Sequence, residues 1–242
     1  MLHPDIRISP LLLAVLATLL VILLVSVQKK KLTLSGGIVA MLLGLLVLAG
    51  TGFAGVLLLL SFFAMGVWAT AHKRSAKQQI RAGAPHSQQR NAQQVLANGG
   101  AAGVCALLAI LFPAQLPLLT AMLAGSLAAA SADTVSSELG IVYGKRFYNI
   151  LTLKKEVAGP DGVISIEGTV AGAIAAAIIA FFYALMMGFD INCIVILVAG
   201  ITGNLVDSLL GASLERKGLI GNDMVNACNT ITGAIVALLL FS

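Results

Sequence analysis

Five acidic residues lie in or beside strongly apolar stretches of the sequence, where an ionised side chain is costly. They are Asp133 and Glu138 near the end of one stretch, Glu167 at the start of the next, Asp207 inside a third, and Asp223 just before the last. Acids in such positions usually mark a functional site. Carboxylates that meet beside amides and water form an oxygen-rich site that suits Mg²⁺, an ion that retains water and is commonly shared with phosphate oxygens. We expect Asp133, Glu138 and Asp207 to hold Mg²⁺ directly or through water.

Amide side chains accompany these acids. Asn222, Asn226 and Asn229 follow one another at i, i+4 and i+7, so they form one stripe along a helix. An alternative remains for the acids: they could pair only with each other or with the backbone, and Asp223 could cap the helix that follows it. Three further acids are interpreted as solvated loop residues: Glu156, Asp161 and Glu215. The polar residues expected to line the site are Asn98, Asn204, Asn222, Asp223, Asn226 and Asn229.

A basic loop at 140–166 joins two of the apolar stretches. Four glycines let it bend, and it ends at Ser165, where a helix is expected to begin. A helix N-terminus with free N–H groups beside a hydroxyl binds anions, and lysines supply point charges for phosphate. We expect this loop to bind phosphate groups; the alternative is an ordinary basic loop with glycine turns. The expected lysine contacts are Lys145, Lys154 and Lys155, and the expected cradle residues are Ser165, Glu167, Gly168 and Thr169.

The composition determines the class of protein that positions these residues. Of 242 residues, 59% are hydrophobic and only 10% are charged, and the mean hydropathy is +0.99. Soluble domains carry about 25% charged residues, so soluble, disordered and collagen-like chains are excluded. We predict an all-α, polytopic membrane helix bundle in which residues 1–242 form one integral membrane domain. Its glycine-rich helices suit packing within one chain or in a homodimer equally well.

Eight segments are long and apolar enough to cross a bilayer, which takes roughly 20 residues. The fourth is short and glycine-rich, so we expect it to be tilted or partly re-entrant. The predicted spans are about 11–27, 33–50, 52–70, 98–112, 116–139, 167–188, 191–214 and 224–241.

Basic residues are confined to one side of this predicted bundle. Fourteen of the fifteen Lys and Arg residues fall at 29–31, in loops 71–97 and 140–166, and at 216–217, and only Arg7 lies opposite. Because cytoplasmic loops are enriched in Lys and Arg, we predict that these loops face the cytoplasm of a cell membrane and that both termini face outside. The acids lie at the same end, so the site is expected to open to the cytoplasm. The pI near 9.3 is then explained by topology, and no nucleic-acid-binding module is recognisable.

The outer half of the predicted bundle carries almost no polar residues beyond Asp190 and Asn192. A channel or symmetric transporter needs polar groups through the full depth of the membrane, so this asymmetry argues against a transporter or lipid flippase. A hydrolytic triad is not indicated either, because all three histidines lie outside the predicted spans and no G-x-S-x-G motif is present.

The fifth and seventh spans resemble each other weakly. One reads AGSLAAASADTVSSELG from Ala124 and the other AGITGNLVDSLLGASLE from Ala199, and each places an Asp before a small hydroxyl residue. A repeat of two spans preserves helix orientation, so Asp133 and Asp207 would lie on the same face. Chance similarity between alanine- and glycine-rich helices explains the pattern equally well.

Five ordered stretches resemble the signature of the integral membrane family called domain of unknown function 92. They read RNAQQVLANGG, SADTVSSELGIVYGK, GVISIEGTVAG, GNLVDSLLGA and NDMVNACNTITGA, and the resemblance extends roughly from the second span to the end of the chain. The family includes a plant phytyl-phosphate kinase. The resemblance therefore implies phosphoryl transfer from a nucleoside triphosphate to an isoprenoid monophosphate lipid, with CTP as the donor associated with the wider group and Mg²⁺ as the metal.

A more distant similarity links the chain to phytol kinases, dolichol kinases and CDP-diacylglycerol synthases. The shared pattern is a membrane Asp (Asp133), then G-x-x-x-G-K at 140–145, then S-x-E-G at 165–168. Those kinases tend to carry Lys-Ser before the Glu-Gly, whereas Ile164 precedes Ser165 here, so Lys154 or Lys155 would have to supply that charge. The resemblance leaves a lipid-phosphate cytidylyltransferase, which releases pyrophosphate, as an alternative activity.

Overall fold

The computed structural model describes residues 10–80 and 89–242, and within these ranges the protein is a helical bundle with one very short β-hairpin. Arg7 and Arg81, which the topology argument used, lie outside the described residues. The helices are α1 (Pro10–Gln28), α2 (Leu34–Ala71), α3 (Arg74–Ile80), α4 (Ala92–Leu111), α5 (Leu116–Tyr143), α6 (Ile166–Met187), α7 (Asn192–Leu210) and α8 (Asn222–Leu240). A 3₁₀ turn (Pro113–Gln115) precedes α5, a π-helical turn (Gly211–Glu215) follows α7, and β1 (Tyr148–Asn149) pairs antiparallel with β2 (Val163–Ile164).

Helix α2 folds back on itself at Gly52, so it supplies two membrane crossings. Gly52 has φ 64° and ψ −152°, which is not helical. A Cβ at Gly36 would lie 2.4 Å from the Arg90 carbonyl oxygen, and one at Gly66 would lie 3.1 Å from the Arg90 guanidinium. A straight helix would separate these glycines by about 45 Å, so the two halves are antiparallel. Seven described helices are long and apolar enough to span a membrane, and the fold at Gly52 gives the eight predicted crossings.

The described basic loops all lie at one end of the bundle. The Thr33 amide donates to the Arg90 carbonyl oxygen at 3.1 Å, and the side chains of His72 and Tyr143 are hydrogen-bonded at 2.7 Å. At the opposite end, the Asn192 side chain donates to the carbonyl oxygen of Ser242 at 3.0 Å. The segregation of basic loops expected from the sequence is therefore present, and the assignment of that end to the cytoplasm stays a prediction from charge.

Helix α5 lies at the centre, in contact with α2, α4, α6, α7 and α8. Its sequence is rich in Ala, Gly and Ser, which lets neighbouring backbones approach closely. A Cβ at Gly125 would lie 2.6 Å from the Gly233 carbonyl oxygen, so α5 and α8 meet through bare backbone there. Helix α1, by contrast, packs mainly against α2 and has few buried residues.

Helix α4 differs from the expected short or re-entrant segment. It is a regular helix of 20 residues that begins at Ala92, six positions before the predicted start. Asn91 and Gln94 form a reciprocal capping box, with both hydrogen bonds at 3.0 Å. The cap fixes the helix start on the loop side of the bundle, and it lengthens α4 enough to cross the membrane.

The fold at Gly52 is testable by substitution. A Cβ at this position meets nothing within 4 Å, so Gly52→Ala is expected to cost only backbone strain, about 1–3 kcal/mol. The free energy of unfolding in mixed micelles measures this cost. Gly100→Ala is the matched control, because its Cβ also meets nothing within 4 Å and Gly100 lies inside α4, where Ala is favoured by about 0.5–1 kcal/mol. Equal stability of Gly52→Ala and the wild type would contradict the turn.

Candidate active site

A polar cavity of about 1030 Å³ opens at the basic end of the bundle. Its wall combines residues from the ends of α1, α2, α3, α5 and α7, the starts of α4 and α8, and the loop before α6. The charged lining residues are Lys29, Lys30, Lys31, Arg74, Lys77, Arg90, Asp133, Glu138, Asp161, Asp207 and Glu215. A cavity that carries both cations and carboxylates at the membrane surface suits an anionic ligand held together with a cation.

Asp133 and Asp207 lie side by side in this cavity. Their carboxyl groups are close enough to hydrogen-bond to each other if one of them carries a proton. The Oδ2 atom of Asp207 is buried and has no hydrogen-bond partner among the described residues. Two adjacent carboxylates repel each other, so this arrangement needs a proton or a cation between them. The convergence predicted from the weak repeat is present in the structure.

Close packing of α7 on α5 brings the two aspartates together. A Cβ at Gly203 would lie 2.5 Å from the Cβ of Ala129, and one at Gly200 would lie 2.6 Å from the Cβ of Ala176 and 3.0 Å from that of Ala128. Gly203 therefore packs directly on Ala129 about one turn before each aspartate. Any larger residue at Gly203 would push α7 away from α5 and separate the carboxyl groups.

Glu138 does not join the aspartate pair. It forms an ion pair with Lys77, whose ammonium group also donates to the carbonyl oxygens of Ala69 at 2.8 Å and Thr70 at 2.9 Å. Lys77 is buried, and this network ties the end of α2 and the start of α3 to α5. The three-carboxylate metal centre expected from the sequence is not formed, because the nearest cation takes Glu138 as its partner.

The donor set that remains is the aspartate pair. Among the described residues, no cluster of three or more His, Cys, Asp or Glu side chains is arranged to hold a metal ion. Mg²⁺ does not need such a cluster, because it is commonly held by one or two carboxylates together with water and substrate phosphate oxygens. The unpaired Asp207 Oδ2 atom and the neighbouring Asp133 carboxylate fit that mode of binding.

The lysines predicted to contact phosphate lie outside the cavity. Lys145, Lys154 and Lys155 are all exposed, and none of them lines the cavity. The reason is the small β1–β2 hairpin: the Asn149 side chain accepts hydrogen bonds from the amides of Leu151 and Thr152 at 2.9 and 3.1 Å, which closes a tight turn. Lys154 and Lys155 then lie on the outer part of the hairpin.

Cations from other elements take their place. Lys29, Lys30 and Lys31 follow α1, Arg74 begins α3, and Arg90 precedes the cap of α4. Burial lowers the pKa of the Arg90 guanidinium, and the negative charges of Glu138 and Asp133 act in the opposite direction. An arginine stays charged in proteins, so Arg90 is a fixed positive charge inside the cavity wall.

An ion pair holds the hairpin loop against the end of α7. The Arg216 guanidinium makes a bidentate pair with Glu156, at 3.0 and 2.8 Å, and also donates to the Asp161 carbonyl oxygen. Gly162 has φ 68° and packs directly on the backbone of Ser208 and on Ala212. The 159–165 part of the loop therefore forms one wall of the cavity.

The start of α6 is used mostly for packing. The Ser165 hydroxyl accepts a hydrogen bond from the Gly168 amide at 3.1 Å, and a Cβ at Gly168 would lie 2.8 Å from the Ser136 carbonyl oxygen. Thr169 donates to the carbonyl oxygen of Ser165 at 3.0 Å, and Glu167 accepts from the Lys145 amide at 3.4 Å. Of the four predicted cradle residues only Ser165 lines the cavity, so the predicted anion cradle is largely replaced by a capped, close-packed helix start.

The predicted amides divide into two groups. Asn98, Asn204, Asn222 and Asn226 line the cavity. Asn229 is fully buried and lies beside Asp207, with its Nδ2 atom 3.4 Å from the Ala129 carbonyl oxygen. Asp223 is not among the lining residues. It lies in the first turn of α8, where a negative charge is favourable, but Gly221 is the N-cap residue and no side chain caps the helix, so the alternative that Asp223 caps α8 is not met either.

Several lining residues were not predicted. From the sequence, topology alone explains Arg90, Arg74 and the Lys29–Lys31 run, and Asp161 and Glu215 are predicted to be solvated loop acids. Arg90 carries a local signal, because it directly precedes the capping box that begins α4. The others have none, since their place in the cavity depends on how distant loops meet.

Comparisons with known proteins identify the family. The family model for integral membrane protein DUF92 matches residues 17–234. The chain belongs to this family. An uncharacterized membrane protein of Methanocaldococcus jannaschii is 37% identical over 95% of both chains. The chloroplastic protein VTE6 of Arabidopsis thaliana is 34% identical over 86% of this chain and 65% of its own length, and an uncharacterized membrane protein of Synechocystis is 33% identical over 95% and 90%. No solved structure matches.

The clamp between Glu156 and Arg216 predicts a pH dependence. The hydrogen bonds from Arg216 hold the pKa of the Glu156 carboxyl below its ordinary value of 4.5. A lowered pKa stabilises the folded loop above that ordinary value, and the contribution is lost as the pH falls through the lowered pKa. Amide exchange across residues 147–164, corrected for intrinsic rates, should therefore speed up only below about pH 4.5 in the wild type.

Glu156→Gln should show the faster exchange already at pH 7 and lose the pH dependence, because an amide cannot form the charged pair. Lys155→Gln is the control, since it removes a charge from the same loop and leaves the pair intact. Unchanged exchange in Glu156→Gln at pH 7 would show that the pair does not hold the loop.

Proposed function

We propose that the protein transfers a phosphoryl group from CTP, or another nucleoside triphosphate, to an isoprenoid monophosphate lipid with the help of Mg²⁺. The observation that carries this proposal is the Asp133–Asp207 pair, with an unpaired buried carboxylate oxygen, in a cavity whose wall is rich in Lys and Arg. Membership of the DUF92 family supports it, because the family includes a plant phytyl-phosphate kinase.

Phosphoryl transfer requires the protein mainly to position the two substrates and to neutralise their negative charge. A terminal oxygen of the lipid phosphate attacks the γ-phosphorus, a new P–O bond forms, and the bond from that phosphorus to the β–γ bridging oxygen breaks. The bridging oxygen keeps the electron pair and leaves with the nucleoside diphosphate. The attacking phosphate oxygen is already anionic, so no side chain has to remove a proton. This fits a site that has carboxylates and amides but no catalytic histidine among its lining residues.

In this proposal the acidic, basic and amide residues of the cavity have different roles. Asp133 and Asp207 would hold the metal, which when bound would neutralise phosphate charge. Lys29–Lys31 and Arg74 attract the triphosphate from solution, since clustered positive charge raises the local concentration of an anion. Asn204 and Asn226 line the cavity, and in this proposal they donate to phosphate or ribose oxygens.

The place of the site suits two substrates of opposite solubility. The cavity lies at the loop end of the spanning helices. Asp133 lies ten residues, almost three turns, before the end of α5, and Asp207 lies three residues before the end of α7, which the π-helical turn extends to Glu215. A water-soluble nucleotide can enter from the loop side, while a lipid phosphate stays in the bilayer. We assign this end to the cytoplasmic face of the cell membrane, because the basic loops gather there.

A lipid-phosphate cytidylyltransferase is the second candidate, favoured by the distant similarity to CDP-diacylglycerol synthases. The same metal pair and cavity would serve, but the lipid phosphate would attack the α-phosphorus and pyrophosphate would leave. The released product discriminates the two activities: CDP from a kinase, pyrophosphate from a cytidylyltransferase. Flux of lipid or ions without either product would indicate a transporter instead.

Removal of either aspartate tests the proposed reaction. Asp133→Asn and Asp207→Asn should each lower phosphoryl transfer to geranylgeranyl monophosphate by about 10²–10³-fold, the range found when a group that stabilises transition-state charge is removed. The readout is CDP release by purified protein in nanodiscs with CTP and Mg²⁺.

Asp190→Asn is the matched control, because Asp190 has the same side chain but lies at the opposite end of the bundle, bonded to Asn192. It should stay within about twofold of the wild type. Full activity in both site variants, each checked for an unchanged unfolding midpoint, would refute the assignment.

A further inference from the structure

A second, apolar cavity lies directly beside the polar one. It has a volume of about 90 Å³ and lies between α1, both halves of α2 and the start of α4, with Leu19, Leu23, Leu43 and Phe63 in its wall. Three residues line both cavities: Arg90, Gln94 and Asn98. A molecule with a charged head and an apolar tail could therefore place the head in one cavity and the tail in the other.

The backbone around Arg90 is clamped from both sides. Its amide donates to the Lys31 carbonyl oxygen at 3.0 Å, and its own carbonyl oxygen accepts from the Thr33 amide at 3.1 Å. Gly36 packs against that carbonyl oxygen, because a Cβ there would come within 2.4 Å of it. Arg90 is thus fixed at the point where α1, α2 and α4 meet.

The guanidinium of Arg90 is enclosed by protein but has no ion-pair partner among the described residues. It lies 5.8 Å from the centre of the Phe62 ring and against Gly66, where a Cβ would be 3.1 Å from Nη2. Glu138 attracts it electrostatically, but Glu138 is already paired with Lys77. A guanidinium offers five donors in a fork that matches phosphate, and here that fork borders the cavity.

We propose that Arg90 binds the phosphate head of the lipid substrate and that the apolar cavity takes the first carbons of its chain. This proposal rests on the proposed function. It means that the two substrates enter the site by different routes: the nucleotide enters past the basic residues at the cavity rim, and the lipid enters from the side formed by α1, α2 and α4. Since roughly 10–15 Å³ is the least volume that holds even one water molecule, a cavity of about 90 Å³ takes only the part of the chain next to the head. Arg90 lines the same polar cavity as Asp133 and Asp207, so a head bound at Arg90 lies in the cavity that holds the aspartate pair.

Lipid binding measured without nucleotide tests this proposal apart from the chemistry. The probes are geranylgeranyl monophosphate, geranylgeraniol and CTP with Mg²⁺, each titrated into protein in nanodiscs. Arg90→Gln should weaken binding of the monophosphate about tenfold to hundredfold, because a charge-assisted bidentate contact is lost, and should leave the alcohol and CTP unaffected. Arg90→Lys, which keeps the charge but loses the fork, should fall between.

Arg146→Gln is the matched control, since Arg146 is exposed and outside both cavities. Unchanged monophosphate binding in Arg90→Gln would overturn the proposal, as would a loss of CTP binding instead. If Arg90→Gln does not fold, the comparison of Arg90→Lys with the wild type decides by the same criteria.

A larger side chain that fills the apolar cavity tests whether this cavity binds the lipid tail. Ala40 lines it, so Ala40→Phe should weaken binding of geranylgeranyl monophosphate while inorganic phosphate is unaffected. Ala64→Phe is the control, because Ala64 is exposed on the surface of the bundle. Equal binding of the monophosphate in both variants would overturn the tail site. If the lipid binds as proposed but neither CDP nor pyrophosphate is released, only the proposed reaction fails.

Discussion

Two carboxylates held side by side at the edge of a membrane are the constraint on which the rest of this structure depends. Asp133 and Asp207 come from different helices, and one of their oxygens is buried without a hydrogen-bond partner among the described residues. Such a pair is costly unless positive charge lies between the carboxylates. The cations of the surrounding cavity lie in its wall, and one of them, Lys77, is already paired with Glu138. In the proposed reaction, a metal ion that arrives with the phosphate substrate would remove the repulsion.

Small residues along α5 allow the neighbouring helices to pack closely enough to bring the two aspartates together. Without bulky side chains, α7 packs Gly203 against the Ala129 side chain of α5, and α5 and α8 meet backbone to backbone at the Gly125–Gly233 crossing. In a bilayer, where no hydrophobic effect drives helices together, such close packing is a main source of association. The same packing that builds the bundle therefore fixes the distance between the two aspartates. A change that loosens the helix packing would also disrupt the site.

The sequence predicted the features that depend on local composition and missed those that depend on how loops meet. The length of the apolar segments predicted the membrane spans, and the uneven distribution of Lys and Arg predicted that the basic loops share one end. The presence of acids inside apolar segments predicted Asp133 and Asp207 as site residues. Lys154 and Lys155 do not line the cavity, because the Asn149 side chain closes a turn that leaves them on the outer part of the hairpin. The sequence predicts Glu138 as a metal ligand because nothing near it along the chain indicates that Lys77, 61 positions away, is its partner. Topology alone explains the charge of Arg90 in the sequence, although its position directly before the α4 cap is a local sign of a fixed side chain.

The most direct measurement is the binding of Mn²⁺, as a paramagnetic substitute for Mg²⁺, followed by electron paramagnetic resonance in the presence of CTP. The account predicts that the wild-type protein immobilises Mn²⁺ together with the nucleotide, and that Asp133→Asn and Asp207→Asn each abolish the bound signal without loss of folded protein. Bound Mn²⁺ of unchanged affinity in both variants would contradict the claim that these two carboxylates form the metal site.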